Sequence, residues 1–590
     1  MEVLSIHSQV RELESYDKLG ITTSSAFVQE SLRADVNRTN AYLNSKFESG
    51  DTDYLGRAKP FFNIVLAARN IWFRATDIDR KNILIRATSQ KTVIPAFLAT
   101  LKLQEWMKKQ KFGQFLNDWG LSLATHGSTV TKFIEKQGEL SCQVIDWNNL
   151  LCDAVDFENN IKVEKLWFTP AQLQKNKNFD QELVQKLIDN PTTRKTMEGQ
   201  QKDTKSNYIL VYEVHGELPL SLLTDNEDDD ETYVQQMHVI SFTEKKDKGF
   251  DDYTLYSGKE SKDPYMITHL MKKDGITYSG GAVKNLFEAQ WMVNHTQKQI
   301  KDQLDLASKI IYQTSDGTFV GQNVLTNIEN GDILNHKVNE PLTRLAGSPD
   351  TVAMQNFKTD WQAVANQING ISESMMGENP PAGTAWRLEQ AKLQESHTLF
   401  KVMGQNKGFA IIEMLREYIL PSFKKTLNNN DEIAGVLEAH QIKQIDSMYV
   451  PNQAIRMVND KKKQTILSGQ IYDPALEAQH MADATAQIQS GLTGNQRFIS
   501  PDEVDWRTEF AELDWDNLDI EVTGESFDTQ GALATMTSVL QTLAQNPNAM
   551  QDQNFKTVFS KILQLSGGIS PLELTTPAAQ PAQAVMPAMA

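Results

Sequence analysis

The pattern of apolar and polar positions is most coherent between Ser279 and Phe423. Apolar residues Val283, Leu286, Phe287, Met292, Val293, Ile300, Leu304, Ile310 and Ile311 fall at helical spacing and predict an amphipathic helix over 281–311. A β-rich insert follows, with Phe319-Val320, Val324-Leu325 and Ile333-Leu334 as strand material and Asn330-Gly331 as its tight turn. A second amphipathic helix is predicted over 349–371. Beyond it, Ser372 to Gly383 is broken by Gly377, Pro380-Pro381 and Gly383, with Met375, Met376, Glu378 and Asn379 between them. A third helix is predicted from Thr384 to Leu420. It is apolar around much of its circumference, is expected to bend at Gly404 and Gly408, and stops at Pro421.

These lengths have consequences. The first helix spans roughly 45 Å with only a narrow apolar face, so it needs neighbours along one stripe and water along the other. A β insert this small buries little by itself and gains by packing against copies of itself. At twelve residues the broken loop is long for a connector between helices.

Period changes elsewhere predict a mixed chain. Residues 57–111 recur at helical spacing, with Pro95 in the first turn of their second helix, and another helical segment covers 112–125. Residues 128–168 turn β-like, with a hairpin at Gln137-Gly138. Thr169-Pro170-Ala171-Gln172 reads as a capped helix start, running to about Leu187. Tyr208 to His215, Met237 to Phe242 and Leu518 to Thr523 read as strands. Residues 431–470 are mixed, 473–490 helical, 531–544 and 554–565 short helices, and 576–590 a Pro/Ala/Gln-rich tail expected to be disordered. The fold class expected is α+β, mainly α.

Composition narrows the class. The chain has 590 residues, 40% hydrophobic and 23% charged, enough for several soluble domains. The longest apolar run, Phe61 to Phe73, is interrupted by Asn63, Arg69 and Asn70 and falls short of a membrane span. Glu2 and His7 break any leader pattern, so synthesis in the cytoplasm is expected, and two cysteines, Cys142 and Cys152, suit a reducing compartment as buried side chains. The net charge is −18, and residues 431–590 hold most of it, with 9 basic against 21 acidic side chains. Nothing here makes a basic face for tight DNA binding.

No reactive constellation stands out. The sequence has no His-Glu-x-x-His and no Gly-x-Ser-x-Gly, and Ser257-Gly-Lys-Glu-Ser261 lacks the glycine of a phosphate cradle. The carboxylates of 224–232 match no calcium loop, and those from Asp502 to Asp528 alternate with Trp506, Phe510, Leu513 and Trp515, as apolar anchors under a solvated face do. The expectation is no enzyme, no catalytic residues, no cofactor and no metal.

Two helices carrying a small β insert, a broken loop and a long spanning helix form an order that resembles the portal proteins of tailed bacteriophages, of the short-tailed type. Gly127-Ser-Thr-Val-Thr-Lys132, Asp146 and Asp153 resemble that family's β-rich wing module, and Tyr278 to Asn294 resembles the lead-in to its first stem helix. The resemblance implies a wing over 1–280, stem helices over 281–311 and 349–371, and a clip over 312–348 bearing Phe319, Val320, Asn330 and Gly331. It further implies a tunnel loop over 372–383 with Met375, Met376, Gly377, Glu378, Asn379, Pro380 and Pro381. The wing would resume over 384–525 with the spanning helix, and a crown would occupy 526–575. The family's function is a ring at one capsid vertex through which genomic DNA is packaged and ejected. Its implied partners are further copies of itself, a dodecamer by the family rule, double-stranded DNA held without sequence preference, terminase, the major capsid protein and tail adaptors, with no membrane. Lys298, Lys301, Lys309 and Lys358 are candidate phosphate contacts. The rival expectations are a head–tail connector or scaffold that is not the portal, and an enzyme with an unrecognised site.

Overall fold

The computed structural model describes residues 4–19, 32–54, 56–80, 83–86, 93–136, 139–190, 208–224, 226, 229–245, 249–308, 311–313, 315, 317, 338–339, 343–345, 351–371, 373–376, 386–426, 433–436, 439–469, 473, 476–492, 496–499, 513 and 518–522. Helix outweighs strand among them, 55% against 20%, an α+β architecture that is mainly α. No described helix is long and apolar enough to cross a membrane.

In chain order the elements begin with α1 (Ile6–Leu19), α2 (Leu32–Leu43), α3 (Ile64–Ala75), β1 (Ile83–Arg86), α4 (Val93–Lys109) and α5 (Phe112–His126). Then come β2 (Ser128–Lys136), β3 (Glu139–Ile145), β4 (Leu150–Leu151), β5 (Lys162–Phe168), α6 (Pro170–Lys175), α7 (Gln181–Asp189), β6 (Ile209–Pro219), α8 (Ser221–Thr224), β7 (Tyr233–Glu244), β8 (Phe250–Lys259) and β9 (Tyr265–His269). The central block holds α9 (Phe287–Ser308), β10 (Ile311–Gln313), β11 (Thr343–Leu345), α10 (Thr351–Ile368) and α11 (Trp386–Met414). The last elements are α12 (Leu420–Thr426), β12 (Ile433–Val436), α13 (Ala439–Leu467), α14 (Glu477–Gly491), β13 (Gln496–Ile499) and β14 (Asp519–Val522). The chain divides into two compact units, one of residues 1–75, 118–132 and 144–403, the other of 76–117, 133–143 and 404–590.

The first unit is built on an antiparallel sheet in the order β4-β5-β6-β7-β8. Side chains alternate across β6. Leu210, Tyr212 and Val214 point one way, into a core closed by Ile6, Val10 and Leu13 of α1. Ile209 and Val211 point the other way, against Leu173, Val184 and Leu187 of α6 and α7. A capping box starts α6, where the Thr169 side chain accepts from the Gln172 N–H and the Gln172 side chain accepts from the Thr169 N–H. The single helix expected through Leu187 is two, because the Asp180 N–H donates to Leu255 O at 2.9 Å and its carboxylate restarts the helix at the Glu182 and Leu183 amides. Edge strand β8 alternates between exposed and half-buried positions except at Leu255, which is buried against α6 and α7, and it pairs along β7.

In the second unit β1 pairs with β14, Ile83 opposite Val522, and β12 pairs with β13. Helices α13 and α14 close on Ala454, Val458 and Ala484. Residues 57–111 thus contain a strand that helical periodicity hides, since Ile83-Leu-Ile85 is too short to show a period and finds its partner over 400 residues away. Pro421 does not end the long helix. A π turn over Leu415–Ile419, with the Leu420 N–H donating to Leu415 O, changes the hydrogen-bond ladder just before the proline, and α12 continues to Thr426. The chain stays helical through Gly404 and Gly408. Cys152 is buried as expected whereas Cys142 is half-buried, and desolvation pushes both thiols up to about 12. The expected helices over 531–544 and 554–565, the tail, and Asp502 to Asp516 apart from Leu513 lie outside the described residues.

Candidate functional site

The site is the helical pair α9 and α10, which lies wholly in the first unit. Its lead-in is locked by glycines. Gly127 follows α5 at φ +71°, and a Cβ there would lie 2.1 Å from Gly280 O. A Cβ on Gly281 would lie 2.5 Å from Thr125 O, so the two backbones touch where side chains would hold them apart. The Ala282 N–H donates to Ala124 O at 3.1 Å, and the Ser279 N–H donates to Ser128 Oγ at 2.9 Å. Tyr278 is buried beside Trp147, its hydroxyl bonded to His126 Nδ1 at 2.9 Å. Burial drives His126 down to about 4, so it stays neutral at this contact. Asp146 and Asp153 are turn-formers: Asp153 Oδ1 accepts from the Val155 and Asp156 amides, and Asp146 Oδ1 from Asn148.

The stem helix expected over 281–311 begins instead with a 3₁₀ turn at Lys284–Leu286, is α-helical over Phe287–Ser308, and yields to β10 at Ile311. Two buried amides seat it on α3. Gln290 Oε1 accepts from the Ile64 amide at 2.9 Å and from Val65, while its Nε2 donates to Phe62 O at 2.7 Å. Asn294 Oδ1 accepts from the Phe62 N–H at 3.0 Å. Helix α3 is thus capped both by its own Asn63, which accepts from Leu66 N, and by a side chain of another helix.

The second stem helix, expected over 349–371, spans Thr351–Ile368. It ends in a Schellman turn, with the Ile371 N–H donating to Asn366 O, the Gly370 N–H to Gln367 O, and Gly370 at φ +66°. Asn369 ties this end down. Its Nδ2 donates to Ala282 O, its Oδ1 accepts from Asn285, and its carbonyl accepts from Trp72 Nε1 at 3.1 Å. The apolar periodicity did not reveal Asn369, Gln290 and Asn294, which are buried polar residues at helical stripe positions. The dipeptide Asn369-Gly370 was the one available signal for the turn.

The root of the broken loop is fixed. Residues Glu373–Met376 form a 3₁₀ turn, Arg74 donates to Met375 O at 3.0 Å, and Asn366 Nδ2 approaches Met376 Sδ at 3.6 Å. Gly377, Glu378, Asn379, Pro380 and Pro381 lie outside the described residues, as do Lys309 and the clip residues Phe319, Val320, Asn330 and Gly331. The base of the insert is a two-stranded ribbon in which Ile311 of β10 pairs with Leu345 of β11.

The surface of this pair is unusually apolar for its burial. Of the side chains of α10, Ala365 alone is buried. Phe357, Val364 and Ile368 share one exposed face, and Val352 is 66% exposed. On α9, Trp291 is 52% exposed and stacks on His295 at 5.2 Å. The lysines are differently placed. Lys301 donates to Ala58 O at 2.9 Å, and Lys358 donates to Gln297 Oε1 while lying 4.9 Å from the Phe62 ring centre, so both have uses within the chain. Lys298 is half-buried.

No protein-family model matches this sequence, and comparison with curated proteins found no match.

Proposed function

We propose that the chain is the subunit of a phage-type portal ring, set at one capsid vertex, with α9 and α10 as its stem. The observation that carries this reading is α10, an 18-residue helix with one buried side chain and an apolar outer face. Most of a helix's stability in a protein comes from packing of its apolar face, and a face of Phe357, Val364 and Ile368 left in solvent invites association. Further copies of the same hairpin are a cover that every subunit supplies, and head-to-tail contacts form a ring where the rotation from copy to copy closes. The β10–β11 ribbon at the far end of the hairpin and the anchored root of the 372–383 loop fit the clip and tunnel loop of that architecture. DNA would pass through the ring with weak, sequence-independent contact, and terminase, capsid protein and tail adaptors would be its partners.

The test is native mass spectrometry of the full chain with end-on negative-stain images. A closed ring of high copy number is expected. Monomers or dimers across a wide range of concentration and salt would sink the proposal.

A further inference from the structure

A second feature of the first unit lies apart from the stem. Strands β2 and β9 meet the five-stranded sheet through a buried ionic cluster beside the apolar core that Val130, Tyr265 and Leu150 share. Lys132 of β2 reaches Glu164 of β5 at 2.6 Å and Glu213 of β6 at 2.8 Å. His215, two residues along β6, contacts Glu213 through Nε2 at 2.7 Å and Glu260 through Nδ1 at 2.8 Å. Tyr265 of β9 donates from its hydroxyl to Glu164 at 3.1 Å and sets its ring edge-on to His215 at 5.2 Å.

The geometry assigns the charge state of His215. Ionised carboxylates only accept, so an imidazole flanked by two of them must carry a proton on each nitrogen. The cluster then sets two cations, Lys132 and His215, against three carboxylates. Loss of one proton leaves a single N–H for two acceptors, and one buried carboxylate faces a nitrogen lone pair.

We propose that the His215 proton is a clasp: bound, it holds β2 and β9 on the sheet of β5 and β6, and released as pH rises, it loosens that joint. Other charged groups near His215 do not undo this. Lys162, opposite it in the β5–β6 ladder, is held by Asp263 at 2.5 Å, and His238 of β7, on the other face, is driven down to about 4, chiefly by burial, and stays neutral. Burial of His215 opposes its charge, but the hydrogen bonds and attraction of Glu213 and Glu260 outweigh burial and raise its pKa. Despite burial, Glu213 falls to about 2 through His215 and Lys132. A raised histidine pKa contributes stability that is full below its unfolded value, about 6.5, and is lost as pH climbs through the folded one. The clasp is therefore strongest in mild acid.

Hydrogen exchange by mass spectrometry on the full chain tests it, following peptides that cover β2 and β9 from about pH 6 to about pH 9, on either side of the histidine range. Each pH is compared with a His215→Gln variant, so that intrinsic exchange cancels. The native chain should be better protected at low pH, and its advantage should shrink by up to about tenfold per pH unit, the limit for one proton. An advantage that does not change with pH overturns the proposal. Should His215→Gln fail to fold, Glu260→Gln removes one acceptor, and the loss of protection in native chain should begin at higher pH than in that variant; coincident profiles overturn it equally.

Discussion

Gly127 and Gly280 meet backbone to backbone, with no room for a single methyl group between them: a Cβ on the first would sit 2.1 Å from the carbonyl oxygen of the second. This contact joins the end of α5 to the lead-in of α9 and fixes where α9 leaves the β-rich part of its unit. Gly275 offers a matched comparison, since it also has a left-handed φ, +69°, but a methyl group on it would meet nothing within 4 Å. Gly275→Ala should cost only the conformational penalty, about 1–2 kcal/mol. Gly127→Ala should cost clearly more, read as the difference in denaturation midpoint between the two variants. Equal losses would mean that the backbone contact is not tight.

Asn369 links α10, the 3₁₀ lead-in of α9 and Trp72 of α3. Asn369→Ala leaves the buried Ala282 carbonyl without its donor, and a loss of about 1–3 kcal/mol is expected in chemical denaturation. Trp72→Phe removes the indole N–H and part of the ring packed near Phe400, and should destabilise as well.

Phe357→Asp and Val364→Asp change side chains that are 45% and 44% exposed in one chain. Each removes a half-covered apolar side chain and should cost the single chain about 1 kcal/mol. Sizing of the purified variants should show loss of the ring with the circular dichroism spectrum intact. Rings that persist in both variants would remove α10 from the interface.

Deleting Gly377 to Pro381 spares the root held by Arg74 and Asn366. Rings should still form, because the anchored residues remain, while DNA packaging or retention should fail. Insoluble or monomeric product would count against a loop that projects into a channel.

Lys407 is buried in the second unit, where its ammonium donates to Thr76 O at 2.5 Å and burial lowers it to about 8. A lysine depressed from its usual 10.5 weakens the fold while charged, and the penalty shrinks as pH rises from about 8 towards the unfolded value. Lys407→Met should stabilise this unit at neutral pH by up to about 3 kcal/mol, less the lost hydrogen bond. The gap between variant and native melting temperatures should narrow above about pH 8. A gap that is constant with pH would assign the effect to packing.

Local signals in the sequence determined much of the element order. The Thr169-Pro170 cap, the strands around Val211 and Ile240, the strand at Asp519–Val522 and the helices α9 and α10 each follow from a period or a cap that a few neighbouring residues set. Tertiary structure decided what those residues could not carry. Strand β1 exists because β14 pairs with it, and α6 and α7 separate because Asp180 is held by Leu255 O. The long helix crosses Pro421 because a π turn precedes it. Gln290, Asn294 and Asn369 look like polar interruptions of an apolar stripe, yet they are buried because other segments offer them backbone donors and acceptors. Periodicity reports which face of an element is apolar. It says nothing of the backbone donors and acceptors that a distant segment will bring to that face, and those donors and acceptors fixed the lead-in and seat of α9 and the end of α10.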